Sequence, residues 1–133
     1  MAYWFAMGGV WMYLVLLVTM MVGGIGCFSL VFAVVSVFRP RLAVVARLLA
    51  VLVLLGSASI VGCGVIGMGT GWRTVLGVLP LVDPSQRAAV EAQGWYEAKI
   101  PAYFGGIMGA GTGAFGVLVL VASLAAPRLA RTE

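Results

Sequence analysis

The sequence predicts an all-α integral membrane protein with three long transmembrane helices in a single domain over residues 1–133. Of the 133 residues, 63% are hydrophobic and 9% are charged, and the mean hydropathy is +1.16. A soluble domain of this size cannot cover that much apolar surface with polar side chains, whereas lipid can. The chain contains three apolar runs, and each is long enough to cross a hydrocarbon core of about 30 Å as a helix.

The first two predicted helices are separated by a short basic segment. The first is predicted over about residues 3–38 and the second over about residues 42–82. Arg39, Pro40 and Arg41 end the first, because proline disfavours a continuing helix and arginine resists entering hydrocarbon. Arg47 lies in the first turns of the second helix, where we expect its side chain to extend to the lipid headgroups.

The third helix is predicted over about residues 84–126, after a tight turn at Val82 and Asp83. Asp83 stands where an N-cap residue belongs, and Pro84 stands at the first helical position. Pro101 falls inside this helix, and we expect it to kink the helix axis.

The distribution of basic residues predicts the orientation. One end carries five arginines: Arg39, Arg41, Arg47, Arg128 and Arg131. The other end carries Arg73, Arg87 and Lys99. The positive-inside rule then predicts an N-terminus outside and a cytoplasmic C-terminus, with Asp83, Glu91 and Glu97 on the outer side.

Several classes of function are disfavoured by composition. The chain has no histidine, which removes the commonest metal ligand and the usual proton carrier near neutral pH. Cys27 and Cys63 lie inside apolar runs and are interpreted as small buried hydrophobes. The basic residues are scattered beside apolar segments, as in topology signals and headgroup contacts. The sequence therefore predicts no enzyme, no cofactor, no metal and no nucleic-acid partner, and it predicts contact with the lipid bilayer.

Glycines recur in the second and third predicted helices, and small residues three or four apart let transmembrane helices approach closely. The glycines predicted to pack helices are Gly64, Gly67, Gly71, Gly105, Gly109 and Gly113. Two interpretations stay open. The second helix packs on the third within one chain, or the glycines also pack subunits around an axis.

Three glycine-containing stretches form a pattern: GGVWMYLVLL at residues 8–17, GVIGMGTG at 64–71 and EAKIPAYFG at 97–105, the last of which begins with Glu97. Together they resemble the MotA/TolQ/ExbB proton-channel family. The resemblance implies a ring-forming subunit of the cell inner (plasma) membrane, multi-pass, in an energy-transducing or motor complex that couples ion transport to mechanical work. It also implies a homo-oligomer, as a pentameric ring, around a single-helix partner subunit that supplies an intramembrane aspartate.

Met68 and Ala102 stand where that family has threonines along its proton path. This departure keeps two alternatives open: a non-conducting structural scaffold subunit of a membrane assembly, and a small pore or transporter subunit unrelated to the family. Thr70 and Thr112 are candidates for a proton path, although a hydrogen bond to the carbonyl one turn earlier is the simpler expectation for each hydroxyl.

Glu97 is the main candidate for proton passage or gating. An ionisable residue inside a membrane is a functional candidate by default, and the resemblance implies that Glu97 faces a central pore. The alternative is the outer interface. Counting back about 20 residues from Arg128 puts the membrane boundary near Gly106, and Glu97 then lies roughly 13 Å beyond it. Both interpretations stay open, with Glu91 and Lys99 as neighbours able to tune the carboxylate.

Overall fold

The computed structural model describes residues 2–39 and 41–129, with side chains for 9–39 and 41–125. Helix α1 spans Ala2–Val35, α2 spans Leu42–Val78 and α3 spans Arg87–Leu129. A short 3-10 helix, Leu79–Leu81, follows α2. Three stretches, Gly9–Val35, Leu42–Leu81 and Arg87–Ala125, are long and apolar enough to cross a membrane. This confirms the predicted all-helical fold with three candidate spans, whereas the orientation of the termini stays a prediction.

The three helices form an up-down-up bundle in which α2 makes its most extensive contacts with α3. Ser29 of α1 donates a hydrogen bond to the Ala46 carbonyl near the start of α2. Trp11, early in α1, lies against Gly67, late in α2, so these two helices are antiparallel. We call the end that carries Arg39 and Arg41 the arginine end, and the opposite end, which carries Glu91 and Glu97, the glutamate end.

The bundle core is built from small and β-branched side chains. One apolar cluster contains Val15, Val22, Val53 and Ile60. A second cluster, nearer the arginine end, contains Ala33, Ala46, Ala50 and Val119. Because alanine and glycine add little volume between the helix axes, α2 and α3 approach closely along most of their length.

The faces that point away from the bundle are apolar as well. Large side chains more than half exposed occur on all three helices, among them Leu17, Leu48, Leu55, Ile107 and Leu118. A helix that is apolar around its whole circumference, outside a large protein core, matches a lipid environment. These helices indicate a membrane protein, and their outer faces are compatible with lipid contact.

The first two helices end earlier than predicted, for local reasons. α1 ends at Val35 rather than at about residue 38, because Val37 and Phe38 donate to carbonyls three residues back and tighten the chain into a turn. α2 ends at Val78 because Pro80 has no backbone N–H to continue the α-helical ladder.

The third helix begins at Arg87 rather than at Pro84. The Asp83 carboxylate accepts hydrogen bonds from the Ser85 backbone N–H at 2.9 Å and from the Ser85 hydroxyl at 2.7 Å. These bonds stabilise a turn over 84–86 that precedes the helix, so Asp83 caps this turn instead of the helix itself. α3 then runs through Pro101 as one helix.

Helix α1 is interrupted near its start. Gly9 has φ 57° and ψ −152°, a backbone conformation that only glycine adopts without strain. The helix therefore changes direction at Gly9, which itself lines the cavity described next.

Candidate functional site

A cavity of about 640 Å³ lies between the helices at the glutamate end. Its polar lining residues are Thr70, Thr74, Gln93 and Glu97. α2 supplies the two threonines, and α3 supplies the amide and the carboxylate. The cavity thus brings together Glu97 and Thr70, two of the three predicted proton-path candidates. The third, Thr112, is not among its lining residues.

The rest of the lining is small or apolar. Gly9 and Trp11 close the cavity on the α1 side, and Gly67, Gly71 and Ala98 form part of its wall between α2 and α3. Three of these are glycines, which leave the space between the backbones unfilled by side chains. The cavity extends from the level of Trp11 along α2 and α3 towards Val78 and Val90.

Glu97 is half-buried in this cavity and has one neutral hydrogen-bond partner. Gln93 Nε2 donates to Glu97 Oε1 at 2.9 Å. Within the described part of the chain, no lysine or arginine forms an ion pair with Glu97. The carboxylate therefore keeps acceptor capacity for a proton, a water molecule or a small cation.

Pro101 leaves a second hydrogen-bond acceptor, the Glu97 backbone carbonyl, without its usual partner in α3. Because proline has no backbone N–H, the Glu97 carbonyl lacks the donor that an α-helix normally provides four residues later. Pro101 also lines the cavity. The residue pair Glu97 and Pro101 thus concentrates hydrogen-bond acceptors without adding a positive charge.

The hydroxyl groups of the cavity threonines donate hydrogen bonds to backbone carbonyls of their own helix. Thr70 Oγ1 donates to the Gly67 carbonyl at 2.9 Å, and Thr74 Oγ1 donates to the Thr70 carbonyl at 3.1 Å. Thr112 Oγ1 donates to Met108 in the same way, at 2.7 Å. These bonds confirm the expected bond to the carbonyl one turn earlier, and each leaves the hydroxyl oxygen free to accept.

A count along α1 relates the cavity to membrane depth. If Val35 marks the hydrocarbon boundary at the arginine end, about 20 residues bring the opposite boundary near Val15. Trp11 then lies roughly 6 Å further out, in the headgroup layer. This estimate favours an interfacial cavity over one at the middle of the bilayer, in line with the interfacial interpretation of Glu97.

An aromatic pair lies beside the cavity. The ring centroids of Trp72 and Trp95 are 4.7 Å apart with an interplanar angle of 68°, an edge-to-face contact between α2 and α3. The Lys99 ammonium lies 4.4 Å from the Trp95 ring centroid, so its positive charge is engaged with the indole face. Trp72, Trp95 and Glu91 also line a smaller cavity of about 410 Å³.

The glycines predicted to pack helices lie at the contact between α2 and α3. A Cβ atom at Gly64 would come within 2.6 Å of the Pro101 carbonyl oxygen, and one at Gly105 within 3.0 Å of the Ile60 carbonyl oxygen. Neighbouring atoms of α3 or α2 likewise lie within 3.3 Å of a Cβ at Gly67, Gly71, Gly109 and Gly113. Packing within one chain therefore accounts for all six. By contrast, open space surrounds Gly62, Gly69, Gly106 and Gly111.

Two of the predicted topology residues are located by the structure. Arg39 and Arg41 are exposed at the turn between α1 and α2. Arg131 and the side chain of Arg128 lie outside the described residues, so their topology role stays a prediction.

Some site residues escaped the sequence prediction. Gln93 was not singled out, although it precedes Glu97 by four residues and therefore shares its helix face. Thr74 was not singled out either, and it joins the site through the packing of α2 on α3. Gly9 and Trp11 lie in the stretch at residues 8–17, but only the packing of α1 brings them to the cavity.

Comparison of the chain with protein-family models, with curated proteins and with solved structures finds no match. The resemblance to the MotA/TolQ/ExbB family thus stays an expectation that rests on three short motifs.

Proposed function

We propose that the protein is a proton-handling subunit of a membrane assembly, in which Glu97 takes up and releases a proton at the glutamate end. The observation that carries the proposal is the shared cavity of Glu97, Gln93 and Thr70. A half-buried carboxylate with a neutral donor and no paired cation accepts a proton without breaking an ion pair. The threonine oxygens offer acceptors for water molecules that bring the proton to it.

In this proposal the cavity forms one end of a proton path and not its full length. Beyond the cavity, midway along the bundle, the interior is filled by the apolar cluster of Val15, Val22, Val53 and Ile60, with Phe104 and Met108 packed against it. Such a core holds no chain of polar groups able to relay a proton. We therefore propose that the remainder of the path lies between subunits or against a partner.

Assembly into a ring is the second part of the proposal. The outward glycines, Gly62, Gly69, Gly106 and Gly111, have no packing role within the chain, and small residues allow close approach between transmembrane helices. The family resemblance supports a pentameric ring in the inner membrane around a single-helix partner. That partner would have to supply an intramembrane aspartate, since the described apolar spans contain none.

A non-conducting scaffold is the second candidate function. Met68 and Ala102 are half-buried, and neither side chain can relay a proton. Together with the apolar core, they favour a subunit that keeps the helical architecture of a channel without its path.

Proton flux in proteoliposomes separates the two candidates. The protein, with any co-purifying chain, is reconstituted into vesicles that contain a pH-sensitive dye, and a potassium gradient with valinomycin drives the flux. We expect Glu97→Gln to lower the flux at least about tenfold, because general acid–base groups contribute effects of that size or larger. Glu91→Gln is the matched control, since it removes an exposed carboxylate two turns earlier on α3, outside the larger cavity.

Equal flux for wild type and Glu97→Gln would refute a role for this carboxylate. A wild-type flux no greater than that of empty vesicles would favour the scaffold.

A further inference from the structure

Arg47 lies at the contact between α2 and α3, near the arginine end. It follows Ala43 and Ala46 and precedes Ala50, all three buried, so its Cα lies next to the packed face of α2. Its side chain is half-buried, and Nη2 donates to the Ser123 carbonyl of α3 at 3.4 Å. The guanidinium therefore leans into the groove between the two helices instead of extending straight along α2 towards the headgroups.

The positive charge of Arg47 has no counter-charge within the described part of the chain. The acidic residues described there are Asp83, Glu91 and Glu97, all towards the glutamate end. The part of α2 at the glutamate end, marked by Trp72, is about 38 Å from Arg47 along the helix axis, so these carboxylates cannot reach the guanidinium. A long hydrogen bond to one neutral carbonyl compensates a partly buried guanidinium only weakly.

The guanidinium is also incompletely hydrogen-bonded. Its Nε atom is buried and has no hydrogen-bond partner, the one such nitrogen or oxygen atom among the described side chains. The Nη1 nitrogen has no protein partner either and is not enclosed, so this side of the group faces the surroundings of the bundle. No group among the described residues supplies the missing partner.

The neighbouring serine hydroxyls are neutral and cannot balance the positive charge of Arg47. Ser29, Ser36 and Ser123 are fully buried at the same end of the bundle. Each donates its proton to a backbone carbonyl, at 3.0 Å, 2.6 Å and 2.7 Å respectively. They make this end of the core polar without neutralising Arg47.

We infer that Arg47 binds the phosphate of an anionic phospholipid in the groove between α2 and α3. The backbone of Arg47 lies about 9 Å along α2 from Arg41, on the hydrocarbon side of the boundary at Val35, and an arginine side chain is long enough to bring its guanidinium towards the lipid phosphates, the abundant anions at the headgroup layer. The planar guanidinium presents paired N–H donors that match phosphate oxygens. The inference does not depend on Glu97, which lies at the opposite end.

The surface around the groove suits an acyl chain. Val44 and Leu48 of α2 are 57% and 63% exposed, and Val121 and Leu124 of α3 are 58% and 49% exposed. A phosphate on Arg47 would thus have apolar surface on both sides for the attached lipid tails.

Native mass spectrometry of the full-length protein in detergent tests the inference. The probe is phosphatidylglycerol, titrated against wild type and against Arg47→Gln. We expect the substitution to weaken binding of the tightest lipid about tenfold, as for loss of a charge-assisted hydrogen bond. Arg39→Gln, which removes an exposed arginine at the same end, is expected to weaken it no more than about twofold, because exposed ion pairs contribute little.

A second titration with inorganic phosphate, without lipid, distinguishes the source of the anion. The inference requires phosphatidylglycerol to bind more tightly than phosphate, since the groove also contacts acyl chains. Equal affinities would assign the site to free phosphate, and equal losses in the two variants would reduce Arg47 to general surface charge. Either result overturns the inference.

Should Arg47→Gln fail to fold, Arg47→Lys keeps the charge and removes the planar donor fork. A loss larger than that of Arg39→Gln supports the inference, and an unchanged affinity overturns it.

Discussion

The backbone of Gly64 in α2 lies directly against the carbonyl oxygen of Pro101 in α3. A Cβ atom at position 64 would approach that oxygen to 2.6 Å, closer than van der Waals contact allows. Pro101 lies one turn after Glu97, so this contact also fixes the height of the carboxylate relative to α2. Helix packing and the candidate site are thus coupled at one point.

The first prediction concerns this contact. We expect Gly64→Ala to lower the free energy of unfolding by about 1–3 kcal/mol, because overpacking forces the backbones of α2 and α3 apart. Thermal unfolding of the detergent-solubilised protein, followed by circular dichroism, measures the effect. Gly62→Ala is the matched control, since open space surrounds Gly62 and alanine favours the helix. An unchanged melting temperature for Gly64→Ala would contradict the close packing of α2 on α3.

The second prediction concerns the cavity hydroxyl of Thr70. We expect Thr70→Val to lower proton flux about fivefold, the effect of losing one hydrogen bond of about 1 kcal/mol. Flux in proteoliposomes measures it, alongside the thermal stability of each variant. Thr112→Val removes a similarly bonded hydroxyl from α3 outside the cavity, and we expect it to leave the flux unchanged. Equal effects of the two substitutions would remove Thr70 from the site.

The third prediction concerns the turn before α3. Hydrogen bonds from the Ser85 backbone N–H and hydroxyl hold the pKa of the Asp83 carboxyl below its ordinary value. A lowered pKa in the folded state stabilises the protein at pH values above the unfolded pKa of about 4. The stabilisation is lost as the pH falls through the folded pKa.

We therefore expect Asp83→Ala to lower the melting temperature slightly at neutral pH, with the difference from wild type shrinking below about pH 4. Ser85→Ala is the matched control, because it removes the hydroxyl donor and keeps the backbone N–H. It should produce a smaller change with the same pH dependence. A difference that does not vary with pH would contradict this account of the turn.

The fourth prediction concerns Lys99 and Trp95. An ammonium 4.4 Å from an indole centroid at the protein surface is worth about 0.5–1 kcal/mol. A double-mutant cycle with Lys99→Met and Trp95→Leu, read by thermal unfolding, should yield a coupling energy of that size. A coupling of zero would contradict a stabilising contact between the ammonium and the indole.

The three spans could be predicted from the sequence because hydrocarbon thickness imposes a minimum length on any apolar helix. The helix ends could be predicted less accurately than the spans, because each end depends on single hydrogen bonds. The turn at Val37 and Phe38 and the capped turn at Asp83 each moved an end by about three residues.

The glycine positions show a second limit of sequence. Spacing identified Gly64 and Gly105 as packing residues, but the same spacing serves contacts within a chain and between chains. The structure assigns both residues to contacts within the chain. The same limit applies to Thr70 and Glu97, whose shared cavity depends on the register of α2 against α3, and this register has no local sequence signal.

Arg47 illustrates how tertiary packing changes the environment of a side chain. From sequence, an arginine near a helix end is expected to reach the headgroups. Because Arg47 lies beside the alanine face of α2, its guanidinium also contacts the Ser123 carbonyl of α3. This contact depends on the packing of α3 against α2 and therefore could not be predicted from the residues around Arg47 alone.

The most direct test of the central proposal is to observe the protonation of Glu97 itself. Infrared difference spectroscopy of the protein in bilayers detects the carbonyl band of a protonated carboxyl group, and this band shifts in D₂O when the proton exchanges with water. We predict a band that appears reversibly when protons are added and removed, that shifts in D₂O, and that is absent in Glu97→Gln but retained in Glu91→Gln. A spectrum in which Glu97→Gln removes no titrating band would contradict the proposal that Glu97 takes up and releases a proton.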